Sequence, residues 1–322
     1  MIKAGIIGGA GYTAGELIRI LINHSQTELV FVNSTSNAGN MLSAVHGGLL
    51  GETEMRFTDQ LPYEKIDVLF FCTAHGDTRK FMEANKVPEH LKIIDLSTDY
   101  RHKAEGNNFV YGLPELNKPE IQKAQYVANP GCFATAIQLA LLPLAKAQLL
   151  NTEIHVNAIT GSTGAGVKPS ATSHYSWRQN NISVYKAFDH QHLQEIRESL
   201  VQLQPNFTET INFIPVRGDF ARGIFASVYL NYEGTIEEAY QLYGSYYQDS
   251  PFVVLTEANP DMKQVVNTNK CILHLEKHNG KLLILSCIDN LTKGASGQAV
   301  QNMNLLFGQP ETEGLRLKAN AF

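Results

Sequence analysis

The chain lacks a basic excess. Its 26 lysines and arginines are outnumbered by 31 aspartates and glutamates, leaving a formal net charge of −5. A nucleic-acid binder gathers positive charge on some face, so a nucleic-acid partner is not expected. Long apolar runs are also missing: none approaches the roughly 20 residues that span a bilayer, and no membrane association is expected. The apolar start Met1-Ile2-Lys3-Ala4-Gly5-Ile6-Ile7 is too short for a secretory signal and runs into a glycine turn. Cysteine is scarce. Cys72, Cys132, Cys271 and Cys287 lie far apart and form no CxxC pair, so no zinc or other metal site is expected, and a cytoplasmic chain would keep them reduced. No internal repeat or low-complexity linker is present. What remains is 43% hydrophobic and 18% charged, the balance of a soluble globular protein, and 322 residues suffice for two domains. The expectation is a cytoplasmic protein acting on small molecules.

The first 130 residues alternate strand and helix signals. Residues 4–8 read as a short buried strand and 12–23 as an amphipathic helix; 29–33, 68–73, 93–96 and 126–128 are continuous apolar runs of strand length. Such runs are what parallel strands covered on both faces look like, and their alternation with helices implies an α/β, doubly wound parallel sheet. An apolar stretch at 136–150 reads as a helix. Beyond it, residues 153–160, 223–232, 270–278 and 281–288 are longer and alternate more, and Asn279-Gly280 between the last two is a strong hairpin signal. That half reads as a mixed or antiparallel sheet with helices near 190–204 and 235–249, closed by a helix at 294–307.

The segment Asn129-Pro130-Gly131-Cys132-Phe133 sets one cysteine between a tight turn and a helix. Backbone N–H groups and the positive end of the helix dipole favour a thiolate there, and the thiolate is the nucleophile. A small buried apolar residue is the alternative at the same place. Gly8-Gly9-Ala10-Gly11-Tyr12-Thr13-Ala14-Gly15 follows the first strand and opens the first helix, the context in which glycines let a pyrophosphate approach a helix N-terminus; a tight turn without ligand is the alternative. Gly8, Gly11, Tyr12 and Thr13 are thus candidate cofactor contacts. An NAD site ends its second strand on Asp or Glu. This chain has Asn33-Ser34-Thr35-Ser36-Asn37, so Ser34 and Ser36 would meet a 2′-phosphate without repulsion, and NADP is favoured over NAD although no arginine stands in the loop.

Asp189-His190-Gln191-His192 precedes a helix, with Asp189 as expected N-cap and both histidines in the first turn, where the dipole disfavours the protonated ring. A neutral imidazole there can serve as acid or base, and Glu195, three residues after His192, can orient it. A metal site is disfavoured because this spacing does not put three ligands on one helical face; a solvated helix start is the other alternative. Ser97 and Arg101 follow a strand end, where Arg101 could clamp a phosphate or carboxylate through both arms. Gly161 through Gly166, with Gly164 and Gly166, can form an anion-binding nest, with a flexible turn as the alternative. Asn290 and two glycines open the final helix, where small residues suggest close packing on a flat partner such as a nicotinamide ring or another backbone.

Side by side, these residues resemble the N-acetyl-γ-glutamyl-phosphate reductase family of arginine biosynthesis, end to end. The family's GASGYTG is similar to residues 8–14, its DLSADFR to 95–101, its YGLPEL to 111–116, its NPGCYPT to 129–135, its HRHxPEI to 190–196, and its DNLxKGAxGQAVQNMN to 289–304. The chain departs at Ala14, where a third glycine is usual, at Thr35, where an arginine often sits, and at Val167, which replaces an arginine after SGAG. Of FTPHLxPMxRG only Phe213-Ile214-Pro215 and Arg222-Gly223 survive.

The resemblance implies a Rossmann NADP domain (1–131 with 300–322) and an α+β catalytic and oligomerisation domain (132–299) of the semialdehyde-dehydrogenase type, assembled as a homodimer or homotetramer. It places the nucleophile on Cys132 and the catalytic histidine on His190, a proton donor whose imidazolium would favour the thiolate. His192, Glu195, Arg101, Ser97, Asn129 and Arg222 fall in supporting or substrate positions, and Gly8, Gly11, Tyr12, Thr13, Ser34, Ser36, Gly164, Gly166 and Asn290 in cofactor positions. The implied reaction is attack of Cys132 on an acyl phosphate, loss of phosphate, and reduction of the thioester by NADPH to an N-acyl-glutamate semialdehyde. N-succinyl, aminoadipyl or aspartyl phosphates are the alternative substrates. An NADP-binding sensor without chemistry would be expected to lose Cys132 or His190, and both are present.

Overall fold

The computed structural model describes residues 1–320 and divides into two compact units, Met1–Pro130 with Ala295–Arg316, and Gly131–Gly294 with the described residues from Leu317. Residues 321 and 322, which the expected domain assignment includes, lie outside the described residues.

In the first unit β1 (Ile2–Ile7), β2 (Thr27–Asn33), β3 (Val68–Phe71), β4 (Lys92–Asp95), β5 (Val110–Tyr111) and β6 (Tyr126–Ala128) form one sheet, in the order β2-β1-β3-β4-β6-β5. Every pairing in it is parallel. Helices α1 (Tyr12–Leu21), α2 (Asp77–Ala84), α3 (Pro114–Lys123) and, from the chain's far end, α8 (Gly297–Leu306) belong to the same unit. β3 is Val-Leu-Phe-Phe and wholly buried, as a strand covered on both faces must be. From β1 the chain goes to β2 on one side and then to β3 on the other, so the order reverses between β1 and β3. Such a reversal opens a crevice at the strands' carboxyl ends.

In the second unit the order is β11-β12-β13-β10-β7-β9-β8, built from β7 (Ile154–Thr160), β8 (Ser183–Val184), β9 (Ile211–Arg217), β10 (Ile224–Asn231), β11 (Val253–Leu255), β12 (Cys271–His278) and β13 (Lys281–Ile288). β7 and β9 run parallel, as do β11 and β12; the remaining pairs are antiparallel. β10 buries alternate residues, so one face of the sheet carries core and the register is fixed. The β12–β13 hairpin turns on Asn279 (φ 48°) and Gly280 (φ 76°), the left-handed pair that a type I′ turn needs. Helices α5 (Tyr175–Arg178), α6 (His192–Leu203) and α7 (Ile236–Tyr247) complete the unit around α4 (Cys132–Lys146).

α4 begins four residues earlier than its apolar run suggests, because Gly131 already serves as N-cap and nothing in Cys132-Phe133-Ala134-Thr135 resists a helix. Residues 133–145 are all buried. Pro143 sits inside this helix and cannot bond the Leu139 carbonyl. The Tyr247 hydroxyl donates to that carbonyl at 2.5 Å, and the Tyr243 hydroxyl to the Ala140 carbonyl, also at 2.5 Å, so packing of α7 repairs the break. The final helix is shorter than 294–307: a single π-helical turn, Thr292–Ser296, precedes α8.

Asp289, fully buried at the end of β13, accepts from the backbone N–H groups of Asn267, Leu291 and Thr292 and pairs with Arg222 at 2.9 Å. Asp289→Ala strands three donors and a guanidinium. The expected outcome is a loss of about 3–5 kcal/mol of stability, checked by chemical denaturation.

Candidate active site

The first unit presents the glycine turn at the mouth of the β1–β3 crevice. Gly8 has φ +79°, and a Cβ there would lie 2.8 Å from the Cys72 carbonyl oxygen at the end of β3. Only glycine fits both demands. Gly11 is the extended N-cap of α1, with no side chain capping the first turn and no acid within it. Tyr12 is exposed beside it, while the Thr13 hydroxyl bonds the Cys72 sulfur. The His46 Nε2 meets the Gly9 carbonyl at 2.7 Å and braces the turn from outside. At the end of β2, the Asn37 amide donates to the Ser34 and Ser36 hydroxyls at 3.0 and 3.1 Å. An open helix N-terminus beside hydroxyls and amides, with no acid, fits a dinucleotide carrying a 2′-phosphate.

The oxyanion groups expected at the end of β4 are used within the same unit. Asp95 is buried and accepts from Thr78 at 2.8 Å and from the Ser97 hydroxyl at 2.7 Å. Burial pushes its pKa up, and hydrogen bonds from Ser97 and Thr78 pull against that. Asp99 caps α2 through the N–H groups of Gly76 and Arg79. Arg101 is itself buried, donating from Nε to the Asn129 carbonyl and from Nη2 to the Leu96 carbonyl, both at 2.9 Å. That use corrects the bidentate anion clamp: the guanidinium ties the ends of β4 and β6 together. The Asn129 amide is likewise engaged, with Ala295 and Asn302.

In the second unit the arrangement converges on Cys132, the first residue of α4. The Glu195 carboxylate is 2% exposed and accepts from the Gly131 N–H at 3.0 Å. Its other oxygen lies 3.8 Å from the His192 Nε2, and the His192 ring stands over Gly131, where a Cβ would meet Nε2 at 2.4 Å. From the opposite direction comes Gly294, whose imagined Cβ would lie 2.8 Å from that of Cys132. The flat partner of the small residues before α8 thus includes the cysteine itself. Phe133 packs edge-on against His190, His192 and Phe213, with centroids 5.5, 6.3 and 5.2 Å away.

His190 is placed differently from expectation. α6 starts at His192 with Gln191 as N-cap, so Asp189 does not cap it. The chain turns sharply instead, with Lys186 and Phe188 in left-handed conformations, and Tyr185 and Phe188 bond through their N–H groups to the β9 carbonyls of Pro215 and Phe213. The His190 Nδ1 then accepts from the His192 N–H at 3.2 Å. A ring accepting at Nδ1 is neutral and carries its proton on Nε2. Burial, with the charges of Lys186 and Arg217, pulls its pKa down to about 4. The expected imidazolium is therefore replaced by a neutral donor.

Tyr185 and Arg217 carry no motif, and sequence reasoning passed over both. The Tyr185 ring meets His190 edge-on at 5.8 Å, and burial with the nearby Cys132 charge pushes its phenol up to about 12. The alternation of Ile211, Phe213 and Pro215 was the one signal that could have placed Arg217 at the end of a buried strand. Arg222 is paired with Asp289. Asn290 accepts from the Gly223 N–H and donates to Thr163, clipping the 161–166 turn that holds Gly164 and Gly166 to the loop before β10. These residues belong to the second unit and the glycine turn to the first. Among the described residues no group of three or more His, Cys, Asp or Glu could hold a metal ion, and no helix is long and apolar enough to cross a membrane.

A parallel nucleotide-type sheet, and a second sheet presenting a cysteine at a helix N-terminus, define the semialdehyde dehydrogenase class. Family models described as the NAD-binding and dimerisation domains of semialdehyde dehydrogenase match residues 3–124 and 132–290. Solved structures of aspartate semialdehyde dehydrogenases share the fold. One from Vibrio cholerae has a TM-score of 0.73 at 15% identity over 96% of this chain and 99% of that one. One with NADP from Candida albicans has a TM-score of 0.75 at 12% identity over 95% and 98%. The N-acetyl-γ-glutamyl-phosphate reductase of Bacteroides thetaiotaomicron is 67% identical over the full length of both chains, and that of Christiangramia forsetii 58% identical. This chain belongs to the N-acetyl-γ-glutamyl-phosphate reductase family.

Because His190 takes up its proton only well below the ordinary value of 6.5, the unfolded chain binds that proton first. Its contribution to stability is complete above about pH 6.5 and is lost as pH falls toward about 4. Denaturation midpoints measured from pH 7 to pH 4.5 should fall less steeply for His190→Asn than for the parent chain.

Proposed function

We propose that the chain reduces N-acetyl-γ-glutamyl phosphate to the 5-semialdehyde, releasing phosphate, as a cytoplasmic homo-oligomeric enzyme of arginine biosynthesis. The observation that carries this reading is Cys132 at the buried helix start, its turn held by Glu195. Full-length identity to reductases of that name supports the substrate, and the family model of the second unit supports self-association.

In this reading the first unit is the NADP domain and the second the catalytic domain. Cys132 attacks the acyl carbonyl as a thiolate, the thiol proton ends on the departing phosphate, and a thioester remains on the sulfur. Gly8, Gly11, Tyr12 and Thr13, with Ser34 and Ser36 at the 2′-phosphate, would hold NADPH, which would supply hydride to the thioester carbon; the C–S bond then breaks, releasing the semialdehyde and returning Cys132 as thiolate. Asn290, engaged with Gly223 and Thr163, shapes the turn bearing Gly164 and Gly166, the positions the resemblance gives to the cofactor. His190, with Nδ1 occupied, offers its Nε2–H to the oxygen on which negative charge develops. It acts as a hydrogen-bond donor rather than the full proton donor expected, since a neutral ring cannot release that proton cheaply. Glu195 and His192 position the Gly131–Cys132 turn. Asn129 and Ser97 keep their supporting role through the β4 and β6 loop ends, and Arg222 through Asp289.

Two outcomes are expected. Intact-mass measurement after mixing the acyl phosphate with enzyme lacking NADPH should show an acyl adduct on Cys132, absent from Cys132→Ser, which still binds NADPH; an adduct elsewhere overturns the assignment. Fluorescence titration should show NADPH binding at least tenfold tighter than NADH, and equal affinities would remove the reading of the β2 loop.

A further inference from the structure

β9 ends on Arg217, a cation that the acyl-transfer steps do not use. The guanidinium lies 4.5 Å from the centroid of the Tyr185 ring and hydrogen-bonds its phenol. Its Nε is buried with no hydrogen-bond partner. Its charged neighbours are engaged elsewhere. Lys186 bonds the neutral Gln191 amide at 2.9 Å, Arg178 spends its arms largely on the carbonyls of Thr172, Asn181 and Arg217, and Asp219 accepts from the Asn180 N–H. The positive charge of Lys186 and Arg217 reaches His190, and Tyr185 feels the charge of Cys132, so the cation belongs to the reacting centre's surroundings. Arg217 also falls in the stretch where the chain departs from FTPHLxPMxRG. A half-buried guanidinium whose Nε has no acceptor is costly unless a ligand completes it, and its planar fork, fixed by stacking on a ring, matches a carboxylate.

We propose that Arg217, backed by Tyr185, is a specificity-determining residue that binds a carboxylate of the substrate beside Cys132. The proposal deepens the function above and rests on it for the identity of the substrate. The carboxylate comes either from the glutamyl backbone or from the N-acyl group, if that group is itself a dicarboxylic one such as succinyl.

The test titrates N-acetylglutamate and N-succinylglutamate calorimetrically into the full-length protein, Arg217→Leu and Arg217→Lys, with thermal unfolding confirming that each variant folds. Arg217→Leu should weaken binding on the order of 10- to 100-fold, the range of a charge-assisted hydrogen bond, and Arg217→Lys should recover part of it. Equal losses for both ligands assign the glutamyl carboxylate; a loss for the succinyl ligand alone assigns the acyl carboxylate. In the phosphate- and NADP-dependent oxidation of the matching semialdehydes, KM for the semialdehyde should rise with kcat moved far less and KM for phosphate unmoved. Unchanged binding of both ligands, no binding to the parent protein, or a shift confined to phosphate would overturn the proposal. Binding that depends on Arg217 without any turnover by the parent chain would count against the proposed reaction and leave the carboxylate site standing.

Discussion

The hydrogen bond from the Gly131 N–H to the buried Glu195 carboxylate is the constraint on which the cysteine centre rests. The helix that Cys132 opens is apolar and immersed in the second unit, so its position is set by packing that no local change can shift. Its first turn is then held from three directions: by Glu195 at the backbone, by the His192 ring over Gly131, and by Gly294 against Cys132. At Gly131 and Gly294 one added carbon would collide. In the proposed reading, a Cys132 fixed this way loses little freedom when substrate arrives, which is what makes positioning effective.

Electrostatics around this turn divide into two tasks. His190 is kept neutral by burial, by adjacent positive charge, and by a helix N–H pointed at Nδ1. A neutral ring with one fixed donor suits an oxygen that becomes negative during reaction, because the hydrogen bond strengthens as charge develops. The positive charges of Arg217 and Lys186 further discourage protonation of His190. In α4 the Tyr247 hydroxyl satisfies the Leu139 carbonyl that Pro143 frees, and the hydroxyls of Tyr243 and Ser286 add bonds to the carbonyls of Ala140 and Ala136.

Sequence alone determined the parts with short-range causes. Continuous apolar runs announced the parallel sheet, Asn279-Gly280 announced a hairpin because both residues tolerate positive φ, and Gly8 through Gly15 placed a turn at a helix start. The Pro-Gly-Cys segment located Cys132. Tertiary structure decided what long-range partners control. Arg101 and Ser97 look like free anion binders in one dimension, yet their partners lie on β4 and β6, and buried donors must be satisfied before any ligand is considered. Asp189 is a good N-cap by residue type, but bonds from Tyr185 and Phe188 to β9 turn the chain first, Gln191 becomes the N-cap, and the first helical N–H meets His190 Nδ1. The state of His190 and the unpartnered Nε of Arg217 depend on neighbours from separate strands and loops. Desolvation and Coulomb interactions act through space, and sequence spacing does not encode them.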